Sequence, residues 1–171
     1  PRAYEHEYLG VANGTGGTVF ENVTLRKITD EEIAQFDRVL HGLDFGWYPD
    51  PAHYSRMHYD AARHTLYIFG ELRRIKTSNR QLYDDLVAYG CKGGDVIIAD
   101  SAEPKSVADF RGYASIPIET GEVSPFQRKD VVFGPDCRGA EKGPESVNYS
   151  MKWLQSLASI VIDPERCPET A

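Results

Sequence analysis

The sequence predicts an α/β fold in which helices flank the faces of a mixed β-sheet. Runs of β-branched and aromatic residues recur along the chain, and segments with helical periodicity separate the later runs. The chain has 171 residues, of which 41% are hydrophobic, which is enough for one domain with a proper core. Its apolar runs are only as long as core strands, so we expect neither a membrane span nor a secretion signal.

Charge and cysteine usage narrow the classes of function. The chain carries 19 Lys and Arg against 26 Asp and Glu, a formal net charge of −7. This balance argues against a polybasic nucleic-acid binder, because such binding normally comes from basic side chains that release phosphate counterions. Cys91, Cys137 and Cys167 are far apart and form no C-x-x-C pair. They indicate a reducing compartment and argue against a disulfide scaffold or a zinc knuckle.

The first segment is interpreted as an arm. Residues 1–37 are rich in glycine at first and lack apolar periodicity there, and they end in a short helix for which Thr29 is the predicted N-cap. Residues 38–171 are then the folded domain.

Three strands are predicted to follow. Apolar residues alternate over 39–45, which predicts a strand with Asp44 at its end, before the turn at Gly46. The Tyr- and Ile-rich runs 53–60 and 65–73 predict a hairpin stacked beside that strand.

The next elements alternate between helix and strand. Ser78 is the predicted N-cap of a helix that stops at Gly90, and a short buried strand over 95–100 ends in Asp100. A short helix is expected around Val107, followed by a strand over 115–119.

The last third begins with an irregular stretch. A loop over 116–136 is unusually long, which suggests a function or disorder. A helix around Met151 and a final strand over 159–163 close the predicted order, β-β-β-α-β-α-β-α-β.

The two strand-end aspartates are the candidate site. Ligands of open α/β sheets bind beyond the carboxyl ends of strands, so Asp44 and Asp100 are expected to converge there. Adjacent carboxylates repel each other unless a cation lies between them, and Mg²⁺ or a similar hard cation prefers such oxygen ligands. A site of this kind can support two-metal phosphodiester cleavage.

Three motifs carry a resemblance to a known family. They are G-L-D-F-G at 42–46, A-D-S-A-E-P-K-S at 99–106 and E-K-G-P-E-S-V at 141–147. In this order they resemble the C-terminal nuclease domain of the large terminase subunit of tailed bacteriophages and prophages, from about residue 7 to the end. The resemblance implies an RNase H-like mixed β-sheet flanked by helices, and a metal-dependent endonuclease that cuts concatemeric double-stranded viral DNA. It makes Asp44 and Asp100 the first and second metal ligands of two Mg²⁺ or Mn²⁺ ions.

The sequence also departs from the family pattern. The third acidic ligand of the family lies in an N-H-x-I-D-A-x-R-Y-like stretch, and the chain reaches Ala171 before any such stretch. We therefore expect a C-terminally incomplete domain that binds metal weakly or cuts poorly, and interpret Asp163 as a turn residue. A Walker A pattern does not occur, so an ATPase domain is expected to be absent.

Basic and polar residues near these motifs are candidate DNA contacts. They are Lys105, Ser106, Arg128, Lys129 and Lys142. Such contacts to phosphate carry no base information, so little sequence specificity is expected. Trp47, Tyr48 and Tyr54 are weaker candidates for base stacking, because aromatic residues on strands more often pack. The histidines of the predicted hairpin, His53, His58 and His64, are interpreted as ordinary strand residues.

Two other functions remain open from the residues. G-L-D-F-G also resembles a phosphate loop of actin-like ATPases, although the stretch after Asp100 lacks the second glycine-rich loop. A non-catalytic docking module of a packaging motor is the other alternative. For the nuclease, the resemblance implies double-stranded DNA, a portal protein and a small terminase subunit as partners, and the host bacterial cytoplasm as the location.

Overall fold

The computed structural model describes residues 19–116 and 133–171, together with the backbone of Ile118–Glu119 and Val131–Val132. The strands in this part of the chain are β1 (Val23–Leu25), β2 (Leu40–Asp44), β3 (Ala52–Asp60), β4 (Thr65–Arg74), β5 (Val96–Ala99), β6 (Ile118–Glu119), β7 (Val131–Val132), β8 (Asp136–Gly139) and β9 (Ser159–Ile162). The helices are α1 (Asp30–Ile33), α2 (Asn79–Ala88), α3 (Pro104–Ala114) and α4 (Ser146–Ser156).

Seven strands form one mixed sheet in the order β1-β9-β4-β3-β2-β5-β8. Strand β3 is antiparallel to both β2 and β4. The other four pairs, β1 with β9, β4 with β9, β2 with β5 and β5 with β8, are parallel. This sheet with flanking helices confirms the predicted fold class. Strands β6 and β7 pair separately in a two-stranded sheet.

Local signals for helix ends act as the sequence predicts. The hydroxyl of Thr29 accepts a hydrogen bond from the Glu32 amide, and the hydroxyl of Ser78 accepts one from the Gln81 amide, each at 3.3 Å. Both bonds satisfy amides that lack a partner within the helix. Gly90 follows α2 with a φ of 109°, a backbone conformation that glycine adopts without strain.

Apolar side chains fix the central strands against helices α2 and α3. The buried residues of this core include Leu43, Tyr54, Leu86, Ile97 and Phe110. A second core lies under the end of α4 and contains Leu66, Leu157, Ile160 and Ile162. Burial on this scale holds β2 and β5 side by side, and this positions their carboxyl ends. None of the described helices is long and apolar enough to cross a membrane.

Two strands of the sheet were not predicted. Val23–Leu25, within the predicted arm, pairs with β9 as an edge strand, and all three side chains are exposed. Asp136–Gly139 pairs with β5, although Cys137 is its only buried side chain. Val23-Thr24-Leu25 alternates over only three residues, and D-C-R-G contains a single apolar side chain, so neither segment has a long enough apolar pattern to predict a strand.

The predicted strand over 115–119 is wrong in length. Helix α3 continues through Ala114, and the Ser115 hydroxyl donates to the Gly112 carbonyl at 2.7 Å, which ends the helix. Only Ile118–Glu119 is extended. The predicted loop 116–136 is also interrupted, by β7 and by the start of β8, while residue 117 and residues 120–130 lie outside the described residues.

Candidate metal centre

Asp44 and Asp100 lie at the same edge of the sheet. Strands β2 and β5 are parallel, with Leu43 paired to Ala99, so each aspartate follows directly after a paired residue. The amide of Asp100 donates to the Leu43 carbonyl at 3.1 Å and extends the ladder by one bond. The sheet therefore brings the two candidate carboxylates to one edge, as the strand-end argument predicts.

Asp100 already binds a cation from the protein. The Lys142 ammonium lies 2.6 Å from Oδ1 of Asp100, and the same oxygen accepts a hydrogen bond from the Ala102 amide at 2.8 Å. The bond from Lys142, and after it the Ala102 amide, hold the pKa of the Asp100 carboxyl below its ordinary value. Asp100 is thus a carboxylate at neutral pH.

The unpredicted strand β8 accounts for the position of Lys142. The Ala140 amide, directly after β8, donates to the Ala99 carbonyl at 2.7 Å. The chain therefore leaves β8 at the same edge as Asp100, and Lys142 follows two residues later. Sequence reasoning selected Lys142 from its place before a helix, but could not find this ion pair without β8.

The donor set of this edge fits a hard divalent cation. Carboxylate oxygens are the ligands that Mg²⁺ and Mn²⁺ favour, and the bound ammonium shows that the edge attracts positive charge. Within residues 19–116 and 133–171, no group of three or more His, Cys, Asp and Glu side chains is arranged to hold a metal ion. Asp44 and Asp100 can supply carboxylate oxygens to such a cation, and water or substrate phosphate can supply the remaining ligands.

The other candidate DNA contacts are dispersed. Lys105 is exposed in the first turn of α3, whereas the Ser106 hydroxyl accepts a hydrogen bond from the Asn79 side chain at 3.1 Å. That bond ties Ser106 to α2. Arg128 and Lys129 lie outside the described residues.

His53 is a neighbour of the site that sequence reasoning missed. Antiparallel pairing of β2 and β3 places it directly opposite Asp44. Its ring is partly exposed and lies 3.4 Å from the Thr170 hydroxyl, measured from Nε2. The signal was hidden because it depends on strand register, and a shift by two residues would give Asp44 another neighbour while every side chain kept its face of the sheet.

Asp163 is a buried structural carboxylate. Its residue is 0% exposed, and its oxygens accept hydrogen bonds from the amides of Ile28, Glu165 and Arg166 at 2.9, 3.0 and 3.3 Å. Burial raises its pKa, but these amides and the nearby Arg166 guanidinium outweigh burial and lower it. The interpretation of Asp163 as a turn residue is confirmed.

Comparisons with known proteins agree with this fold. No family model matches the chain. The chain is 39% identical over 170 residues to the large terminase subunit of Bacillus phage SPP1, a match that covers 98% of this chain and 36% of the relative. The chain thus spans about a third of that relative's length.

Among solved structures, the matched region covers a larger share of the other chain. The crystal structure of the g2p (large terminase) nuclease domain from bacteriophage SPP1 with bound Mn has a TM-score of 0.69 and 36% identity to this chain, over 87% of this chain and 75% of that one. The P22 large terminase nuclease domain has a TM-score of 0.47 and 9% identity, over 86% and 73%.

The mixed seven-stranded sheet with its flanking helices is that of an RNase H-like nuclease domain. Within that class, the chain belongs to the family of bacteriophage large terminase nuclease domains.

Proposed function

We propose that this chain is the metal-dependent endonuclease domain of a phage DNA-packaging terminase, and that it cuts concatemeric double-stranded viral DNA with little sequence specificity. The observation that carries the proposal is the parallel register of β2 and β5, with Asp44 and Asp100 at its end. Membership of the large terminase nuclease family supports the reaction class. The SPP1 relative with bound Mn supports Mg²⁺ or Mn²⁺ as the cofactor.

Each side chain at this edge has a proposed task. Asp44 and Asp100 would hold two ions, which when bound activate a water molecule and neutralise the charge of the leaving oxygen. The Ala102 amide orients Asp100 through its bond to Oδ1. Lys142, once the ions occupy the carboxylates, would be free to contact a phosphate of the DNA.

The wider assignments follow from the family and are proposals. Lys105 and Lys142 are the proposed phosphate contacts among the described residues, and Ser106, Arg128 and Lys129 are further candidates. In the whole terminase, the portal protein and the small terminase subunit would be partners, and the host bacterial cytoplasm would be the location.

The test is cleavage of supercoiled plasmid by this chain in Mn²⁺ and in Mg²⁺, with a chelator as the negative control. We expect slow nicking and linearisation that requires the metal and stops on chelation. A parallel thermal melt with Mn²⁺ should show a raised Tm, because an ion that binds the folded state stabilises it. If millimolar metal produces no cleavage and no shift in Tm, the proposal is contradicted.

Replacement of Lys142 by alanine should reduce the salt dependence of duplex binding. Ca²⁺ would replace Lys142 on the carboxylates. In Ca²⁺, the magnitude of the slope of log K for duplex binding against log salt concentration should therefore be smaller by about one in the variant than in the parent. Fluorescence anisotropy of a labelled duplex at several salt concentrations measures this slope. Lys92→Ala is the matched control, because Lys92 is exposed and precedes β5 at the opposite end from Asp100. Equal slopes for the two variants would remove Lys142 from the DNA contacts.

A further inference from the structure

Two large aromatic side chains lie exposed just beyond the end of the sheet that carries Asp44 and Asp100, which we call the metal edge. Trp47 is 58% exposed and Tyr48 is 64% exposed, whereas Tyr54 on the neighbouring strand is fully buried. Tyr54 therefore belongs to the core, and the other two do not. Large aromatic rings are mostly buried in folded proteins, so a pair of exposed rings beside a candidate site indicates a binding surface.

The loop that carries these rings is held in place by its backbone. The Trp47 carbonyl accepts a hydrogen bond from the Lys76 amide at 2.9 Å, which ties the loop to the chain after β4. A Cβ at Gly46 would lie 2.5 Å from the carbonyl oxygens of Asp50 and Pro51, so the loop is packed closely on itself. Rings presented by a fixed backbone lose little entropy when a ligand binds.

A cation lies over one of the rings. The Lys76 ammonium is 4.5 Å from the centroid of the Tyr48 ring, and Lys76 is exposed. Among the described side chains, no carboxylate forms an ion pair with Lys76. An aromatic face together with an available ammonium suits a ligand with both a flat ring and a negative charge.

A small cavity lies beside Trp47. Its volume is about 230 Å³, and its walls include Phe45, Gly46, Thr77 and Ser78. This is below the range of pockets that hold drug-sized molecules, and it suits a single planar group such as one nucleobase. Its walls also include Glu103 and Ser106, which follow Asp100 by three and six residues, so residues that directly follow both candidate aspartates line the cavity.

We propose that Trp47, Tyr48 and Lys76 form a stacking platform that holds unpaired nucleotides of the strand next to the scissile phosphodiester. The inference rests on the proposed nuclease function, which brings DNA to Asp44 and Asp100. An intact duplex presents only base edges and backbone phosphates, whereas an unpaired base presents a face on which an aromatic ring can stack. The platform therefore selects locally opened DNA near the cleavage site.

Tryptophan fluorescence provides a direct test. The chain has two tryptophans, so Trp153→Phe leaves Trp47 as the sole reporter. In Ca²⁺, a 12-nucleotide oligothymidylate should quench Trp47. Anisotropy of the labelled oligothymidylate should show about tenfold weaker binding to Trp47→Ala, with Trp47→Phe in between because it keeps a ring. A 12-base-pair duplex should quench Trp47 much less. Equal quenching by the duplex, or equal oligothymidylate affinity for Trp47→Ala and its parent, would overturn the proposal.

Two controls separate this surface from the nuclease function. Trp153 lies in α4, and its ring packs on Tyr59 of β3. Trp153→Ala removes this ring and should leave oligothymidylate binding unchanged. Asp100→Asn should abolish cleavage while Trp47 quenching persists. Metal-dependent cleavage without Trp47 quenching would overturn the platform alone, and quenching without any metal-dependent cleavage would overturn the proposed nuclease.

Discussion

Replacement of either Asp44 or Asp100 by asparagine should lower Mn²⁺-dependent plasmid cleavage by at least about a hundredfold. Asparagine keeps the size of the side chain and removes its charge, so the cation would lose half of the negative charge that the two carboxylates supply. The loss should be similar for the two positions because their strands place them at one edge. Initial rates of plasmid nicking measure the effect.

Metal binding separates loss of the site from loss of the fold. Mn²⁺ should raise the Tm of the parent. Both variants should still unfold cooperatively, but Mn²⁺ should raise their Tm much less. Asp84→Asn is the charge-matched control, because Asp84 pairs with Arg80 on the surface of α2 and should cut like the parent. If the Asp44 and Asp100 variants cleave at the parental rate, these residues are not the metal ligands.

Replacement of Asp163 by alanine should lower the free energy of unfolding by about 3 kcal/mol, since it leaves one buried and two partly buried amides without an acceptor. The amides of Ile28, Glu165 and Arg166 all bind this carboxylate. Urea denaturation followed by circular dichroism measures the change. Asp60→Ala removes a carboxylate that binds exposed Arg63 in a turn, and its effect should be much smaller. Equal losses for the two variants would contradict a special structural role for Asp163.

Asp163 should also contribute to acid sensitivity. Burial opposes ionisation of this carboxyl, but the backbone amides bound to it bring its pKa below the ordinary value of 3.8. A group whose pKa is lower in the folded state stabilises the fold above its unfolded pKa, and this contribution is lost as pH falls from there through the folded pKa. The free energy of unfolding of Asp163→Asn should therefore depend less on pH below about 4 than that of the parent. Parallel pH profiles would show that Asp163 is not the titrating group.

The strands with a clear apolar alternation could be predicted from sequence, and with them the position of Asp44 and Asp100. The signal was strong there because Leu43 lies between Gly42 and Asp44 in an alternating segment, and because Ile97 lies in the short continuous apolar run Val96–Ala99. Strand β8 could not be predicted, because in D-C-R-G only Cys137 is buried and the backbone does the pairing. Without β8, the ion pair of Lys142 with Asp100 could not be predicted either.

Register explains the remaining difference. The position of His53 opposite Asp44 depends on how two strands align, and a shift by two residues would change the neighbour while every side chain kept its face of the sheet. The exposure of Trp47 also depends on tertiary contacts, here the bond between its carbonyl and Lys76. Sequence patterns locate strand ends well, but the contacts around those ends belong to the assembled sheet.

The parallel pairing at the metal edge has a consequence for when the protein can act. Parallel neighbours cannot be joined by a tight turn, so β2, β5 and β8 come from distant parts of the chain, and the Lys142 to Asp100 contact alone spans 42 residues. Such long-range pairing forms late in folding. A nascent or partly unfolded chain would therefore carry both aspartates without the proposed centre, and it would not cut the DNA around it until the sheet is complete.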